Sequence, residues 1–412
     1  MPEPSKTDCL NSRPYRLINT VQHYAWGTCN EDAYIADLLG IDPKLDQPFA
    51  ELWMGVHPKS PSQIIDPEQG PRSLSSWISE NVRVRLSIND GDSFPEGLPY
   101  LLKVLSAGEA LSIQAHPNKQ QAESLHQRDP EHYPDNNHKP EIAIAIDELD
   151  ALLGFISNHK FFELLDAFPE VKSLINHDFR PVRHLKEGVQ RLFHNWDRDR
   201  NSIAATSSQI QQRLVMKPAP NETEQLFLEQ FDRRGPEDIG LLFLLLLNRV
   251  HLGPGEAVFL APGVPHAYIK GNIIECMANS DNVVRLGLTN KFCDATALSE
   301  ILVYDELAEY RIIPSTQGNL REYAPPVKEF RVKSLDLPDG KSELFSSRTS
   351  LTMFVLIQGE ISLHWQDTTK SCSCVFRRGD AFVTPANLSA FKILARHDTE
   401  LFFVELPAKK TK

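Results

Sequence analysis

The 412-residue chain is expected to fold as a mainly β protein interrupted by a helical insertion. Three changes of texture along the sequence predict it. From about 14 to 150 the chain is rich in Pro and Gly and holds short apolar runs, such as 100–105 and 142–146, that read as strands between turns. From about 155 to 250, segments 159–167, 188–196, 201–214 and 222–231 have helical spacing and few β-branched residues. After His251 strand-like runs return at 255–260, 354–356, 361–365, 381–384 and 401–406. Short, regularly spaced strands on both sides of the helices favour a sandwich or barrel over a doubly wound parallel sheet. No Gly-rich phosphate loop follows a strand. The apolar run 239–247 is well short of the ~20 residues that span a bilayer and reads as a buried helix.

Composition narrows the function classes. At 41% hydrophobic and 24% charged residues, the chain has ample material for a large core, and its length suggests two or three domains. Lys and Arg number 43 against 55 Asp and Glu, a net charge of −12. That balance repels nucleic acid and anionic membrane, so neither is expected as a partner; a small anionic substrate would need a local cluster of cations. The six cysteines (9, 29, 276, 293, 372, 374) are too scattered for a disulfide framework and are expected to be reduced thiols. Cys372 and Cys374 are expected on one face of a strand, which alone makes no metal pair. The N-terminus lacks an apolar core of signal-peptide length, so a soluble, cytoplasmic protein is expected, with the tail at 409–412 in solvent.

Three stretches carry chemistry. In 108–118, read as a strand, Ser112, Gln114 and His116 share one face, while Leu111, Ile113 and Ala115 share the other. In 138–146, Lys139 and Glu141 lie on one face at the start of an apolar strand, where a carboxylate is costly unless paired or bound to a metal. In 255–268, an apolar strand runs into a Pro/Gly turn and ends on His266. Each alone has a plain alternative: a half-exposed strand, a salt bridge, a surface histidine. Together, a glycine, five residues, Gln114-x-His116, a later Glu141 and a final His266 resemble the two-part metal pattern of cupin barrels, with Gln114 where that pattern has its first histidine. Two imidazoles, a carboxylate and an amide oxygen suit zinc or a similar divalent ion, and the ligand types alone leave iron open.

Cations stand near the same stretches. Lys103 sits in an apolar strand, Lys139 precedes Glu141, and Arg285 and Lys291 lie in the 281–292 segment. They are candidates for the positive pocket that an anionic sugar needs, Arg285 as a planar grip on phosphate or a developing enediolate. Glu275, between Ile274 and Cys276, is expected to be half-buried. It is either a general base with a raised pKa or one side of a salt bridge, Arg285 being a candidate partner.

With these residues assembled, the chain resembles the type I phosphomannose isomerases of the cupin superfamily. The matching stretches are Tyr24-Ala-Trp-Gly27, 50–61, 98–105, 111–118, 138–143, 260–268 and 275–292. Gln114-Ala-His-Pro-Asn118, Pro262-Gly-Val-Pro-His266 and Asp281-Asn-Val-Val-Arg285, in that order, are the specific ones. The resemblance implies a zinc enzyme interconverting mannose 6-phosphate and fructose 6-phosphate on the way to GDP-mannose, with one zinc per chain held by Gln114, His116, Glu141 and His266. It makes Arg285 the catalytic arginine and places Trp26, Glu51, Ser112, Lys139, Tyr268, Glu275 and Asp281 on the cleft. Lys103 and Lys291 join them as substrate-side cations. Glu275 or Lys139 would carry the proton through a cis-enediol.

The fold implied is two cupin-like β-barrel (jelly-roll) domains plus an α-helical domain. We expect the catalytic part at 14–154 with 251–320, the helical insertion at 155–250 and a C-terminal domain at 321–412. The C-terminal domain should be metal-free: its motif opens at Gly379, but Ala390 stands where a histidine would be. A monomer is expected. An iron-dependent cupin oxygenase and a non-catalytic sugar-binding cupin are the rival readings.

Overall fold

The computed structural model describes residues 12–87, 97–176, 181–304, 310–346, 350–367, 370–388 and 390–407. Cys9 and the 409–412 tail lie outside the described residues.

The chain folds mostly as antiparallel β-sheet. An eleven-stranded sheet carries, in order, Arg311–Ile312, Ala257–Leu260, Glu141–Ala145, His266–Ala278, Tyr100–Ala107, Glu51–Gly55 and Thr20–Gln22. The first half of His266–Ala278 also pairs with Leu149–Phe155 and with Ile113–Ala115, which in turn pairs with Val284–Gly287. Nine- and four-stranded sheets complete the β part. The expected barrels are not closed: among the described residues no sheet closes on itself. The ends of the eleven-stranded path are strands of two and three residues, too short to seal an edge.

Strand periodicity sorts the eleven-stranded sheet into two faces. Leu52, Met54, Tyr100, Leu102, Val104, Ile142, Ile144, Ile274 and Cys276 enter one core cluster, so even positions point into packing. The odd positions 51, 53, 103, 141 and 275 point to the opposite face, which is where the charged side chains collect. That core cluster also includes Tyr323, Val355 and Val404 from the C-terminal part. The strand Tyr15–Ile18 joins the two parts, pairing with Ala381–Thr384 on one side and Gln63–Asp66 on the other.

The expected helices are present as Asn158–Ala167, Leu185–Arg198, Arg200–Val215 and Glu222–Arg234. Their starts are capped by Ser157, His184, Asp199 and a capping box of Asn221 with Glu224, each satisfying backbone N–H groups that the helix leaves free. The 239–247 run gives Gly240–Leu246, wholly buried, and then turns into the strand Leu247–Leu252. The β-rich regions hold more helix than their texture suggests, including Leu74–Glu80, Lys119–Arg128 and Ala295–Ile301. Local caps at Ser73, Asn118 and Asp294 start them despite the Pro and Gly around. The helical core packs onto the back of the site: Ile113, Ala115, Val284, Leu286 and Leu288 belong to the same cluster as Phe161, Leu192 and Phe243.

Candidate metal centre and its cleft

The long strand His266–Ala278 builds much of the site because it bends. At Gly271 φ is +135°, and a Cβ there would stand 2.3 Å from the Glu148 carbonyl oxygen. Beyond this bend Glu275 pairs in register with Lys103 and Ala143, while His266 before it pairs with Gln114 and Leu153. One strand thus brings an imidazole and a carboxylate to the same cleft.

His116, Glu141 and His266 converge on the floor. Each imidazole Nε2 lies 3.4 Å from Glu141 Oε2, and the ring centroids are 5.2 Å apart. All three residues are 2% exposed, and among the described residues these three atoms have no hydrogen-bond partner. An unpaired buried polar atom costs about 1–3 kcal/mol, so three facing one another call for a shared partner. Ligands ~2.0–2.1 Å from a tetrahedral zinc stand roughly 3.3–3.4 Å from one another, which is the spacing seen. The donor set therefore fits a divalent ion. The ring orientations suit it as well: His116 Nδ1 lies 2.8 Å from the Asn282 carbonyl and His266 Nδ1 lies 3.0 Å from that of Val264. With Nδ1 donating there, each Nε2 lone pair faces inward. Burial pushes the His116 imidazole down to about 4, which leaves it neutral. Burial opposes ionisation of Glu141, but His116 and Lys139 outweigh it and hold the carboxyl well below its usual range. Gln114 lines the cleft beside this trio.

Above the floor opens a cleft of about 760 Å³. Trp26, Glu51, Lys103, Ser112, Gln114, Lys139, Glu141, Tyr268, Glu275, Asp281, Arg285 and Lys291 all line it, so the structure brings the sequence candidates together. Lys103 is no edge lysine. It lies in the middle of the sheet, 2.8 Å from Glu275 Oε2 and 3.4 Å from Glu51 Oε1. Glu275 therefore pairs with Lys103 and not with Arg285, and it is buried, not half-buried. The register decides this, since Glu275 and Lys103 are cross-strand neighbours. Burial lowers the Lys103 ammonium, but Glu275 and Glu51 more than offset that and raise it. Burial raises Glu275, and Glu141 and Glu51 add to this against the pull of Lys103. Burial, helped by Glu275, keeps Tyr268 a neutral donor, and its Oη–H donates a hydrogen bond to Glu275 Oε1 at 3.0 Å. Lys139 Nζ lies 3.2 Å from Glu141 Oε1. Leu111, expected on the apolar face, precedes the strand Ile113–Ala115 and lines the cleft instead.

The opposite wall is cationic. Among the described residues no carboxylate pairs with Arg285, whose guanidinium is lowered by burial yet stays charged at neutral pH. Burial and the neighbouring Arg285 and Lys59 lower Lys291. Sequence reasoning missed Lys59, which bridges to Asp281 at 3.0 Å, and buried His57, 3.4 Å from the same carboxylate. It also missed Arg233 and Arg234, which the helical insertion brings to the rim. His57-Pro-Lys59 lay inside a quoted stretch. For the two arginines at a helix end no signal was available.

The family described as phosphomannose isomerase type I, catalytic domain, matches residues 15–157. The human mannose-6-phosphate isomerase is 36% identical over 95% of this chain and 98% of its own length. Among solved structures, a mutant of phosphomannose isomerase from Salmonella typhimurium superposes with a TM-score of 0.85 at 30% identity, over 96% of this chain and 100% of that one. A mannose 6-phosphate isomerase bound with zinc and yttrium superposes with a TM-score of 0.84, also at 30% identity, over the same shares of the two chains.

Proposed function

The chain belongs to the type I phosphomannose isomerases, the mannose-6-phosphate isomerases, and from that premise we propose that it interconverts mannose 6-phosphate and fructose 6-phosphate at the cleft just described. The observation that carries the reading is the meeting of three buried donors of His116, Glu141 and His266, unpaired among the described residues, beneath a cleft that holds both a raised carboxylate and two cations, Arg285 and Lys291, that no described carboxylate bridges. Gln114, His116, Glu141 and His266 would hold one zinc per chain, and the ion when bound supplies Lewis acidity to the sugar C1 and C2 oxygens.

The chain's own residues do the rest. Glu275 takes the proton from C2 of the open-chain aldose and returns it at C1, through a cis-enediol. Its raised pKa brings it toward the range a general base needs, and Tyr268 and Lys103 fix its two oxygens. Lys139, tied to Glu141, is the less suited carrier because its charge already serves the ligand. Arg285 offsets the charge that develops on the enediolate, and Lys291 and Lys59 complete a positive wall for the phosphorylated substrate. Trp26, Ser112 and Asp281 shape the cleft around the sugar. We read the β part as two cupin-like halves, 14–154 with 251–320 and 321–412, around the insertion 155–250, in a cytoplasmic monomer that feeds GDP-mannose synthesis. Among the described residues no helix is long and apolar enough to cross a membrane.

The test is conversion of mannose 6-phosphate to fructose 6-phosphate by the purified protein, under nitrogen, with and without a chelator, alongside its metal content. Anaerobic turnover that a chelator abolishes and zinc restores is expected. Turnover that resists the chelator would overturn the metal assignment, and a requirement for dioxygen would favour an iron oxygenase.

A further inference from the structure

Between Arg285 and Lys291 the chain makes an awkward turn. Leu288 sits at φ +54°, a left-handed conformation that a branched aliphatic residue rarely adopts. Three backbone N–H groups around this turn end on one carboxylate from the helical insertion. Asp238 Oδ1 accepts from Gly240 and Leu288 at 2.8 Å each, and Oδ2 accepts from Thr289 at 3.0 Å. The two backbones touch: a Cβ on Gly240 would stand 2.4 Å from the Leu288 nitrogen. The segment is also packed from behind, since Val284, Leu286 and Leu288 are buried in the helical core while Arg285 and Lys291 line the cleft. A strained turn persists only where its surroundings over-determine it, and a doubly engaged carboxylate does that here.

We propose that Asp238 is a positioning residue through which the helical insertion holds the Leu288 turn, and with it the Arg285 and Lys291 side chains, facing the cleft. The insertion is thereby part of the working site and not only a cover behind it. What the two cations do rests on the isomerase reading above; the clamp itself does not.

Asp238→Asn keeps the shape and one acceptor oxygen but replaces the other with an NH₂ group, a donor that cannot accept the Thr289 N–H. With zinc content unchanged, kcat/KM for mannose 6-phosphate is expected to fall about tenfold or more, because small misplacements of charged groups are expensive. In a background that lacks both side chains, Arg285→Ala with Lys291→Ala, the same substitution should cost no more than about twofold, as expected for residues acting through one another. Equal losses in both backgrounds, or a loss within about twofold of the parent, would overturn the proposal. Asp238→Glu, which keeps the charge and displaces the oxygens, should also lose activity, and parental behaviour there would contradict a geometric clamp. Amide hydrogen exchange reads the clamp without any substrate: Leu288 and Thr289 should exchange faster in Asp238→Asn while strand Tyr100–Ala107 is unchanged. If the unmutated protein shows no isomerase activity but this exchange difference appears, the clamp stands and the isomerase reading falls.

Discussion

The two β regions are both antiparallel sheet and are filled differently. In the C-terminal region the sheet faces enclose a solid ring cluster: Phe354 stacks on Phe382 at 4.5 Å and on Phe403 at 5.1 Å, and Phe376 lies 4.0 Å from Phe382. In the first region the interior carries Glu51, Lys103, Glu141 and Glu275, all buried, with Lys103 paired to Glu51 and Glu275 and Glu141 paired to Lys139, beside an open cleft. Filling with Phe stabilises by about 1.5–3 kcal/mol per buried ring, whereas buried ion pairs at best roughly repay their desolvation. The comparison teaches where the molecule keeps its stability and where it spends it. The first region can hold costly charges because the shared core, from Tyr15 and Val104 to Val355 and Val404, ties it to the second.

Removing a floor ligand should break the contrast most completely. His116→Ala and Glu141→Gln are expected to leave the purified protein without bound zinc and bring turnover to background. That is well beyond the ~10–100-fold cost of losing only a partner that orients a ligand. Metal analysis beside the kinetic assay checks it. The mirror experiment is Phe354→Ala, which should cost about 3–5 kcal/mol of folding stability through the cavity it leaves. Denaturant unfolding reads that loss, while zinc content and KM should stay at parental values. If Phe354→Ala instead emptied the metal site, the division of labour between the regions would be wrong.

Arg285→Ala comes next. A preorganised charge on a developing enediolate contributes about 2.7–4 kcal/mol, so kcat should fall ~100-fold or more with zinc still bound. Unchanged turnover would remove Arg285 from the chemistry and leave the cationic wall to bind substrate only.

How much of this was legible depended on distance along the chain. The ligand-bearing stretches were readable because each is short and its residue types are unusual in their setting: a histidine after a Pro/Gly turn, a glutamate opening an apolar strand. The helices of the insertion were legible from their spacing, and Lys119–Arg128 was legible from its Asn118/Gln121 cap had local capping been weighed against texture. The partner of Glu275 was not. Lys103 is 172 residues away, and only the strand register selects it over nearby Arg285. Barrel closure was equally invisible, because it depends on whether distant edge strands pair. The role of Asn282 in turning His116 depends in the same way on tertiary placement: its side chain donates to the Asp135 and Asn137 carbonyls, and this holds its own carbonyl toward the ring.

The smallest expected effect tests the charges themselves, through pH. Burial, with Glu141 and Glu51 nearby, raises Glu275, and Lys103, 2.8 Å away, works against this more strongly than Lys139 does. The proposed base role requires Glu275 to be ionised, so on that proposal kcat/KM should fall as pH drops through a limb lying above the ordinary carboxylate value of about 4.3. Lys103→Met keeps the length of the stem and removes the charge. The Glu275 carboxyl then rises further, the acid limb moves to higher pH, and the loss is largest in acid and shrinks toward alkaline pH. Glu51→Gln removes a like charge and should move the limb the opposite way, with less effect because Glu51 acts on Glu275 less strongly than Lys103 does. Ligand protonation also limits activity in acid, but neither substitution touches a ligand, so opposite displacements of one limb report on Glu275. Displacements of the same sign, or none, would show that the titrating base lies elsewhere and that the Lys103 pair serves packing alone, as the phenylalanines do in the other half.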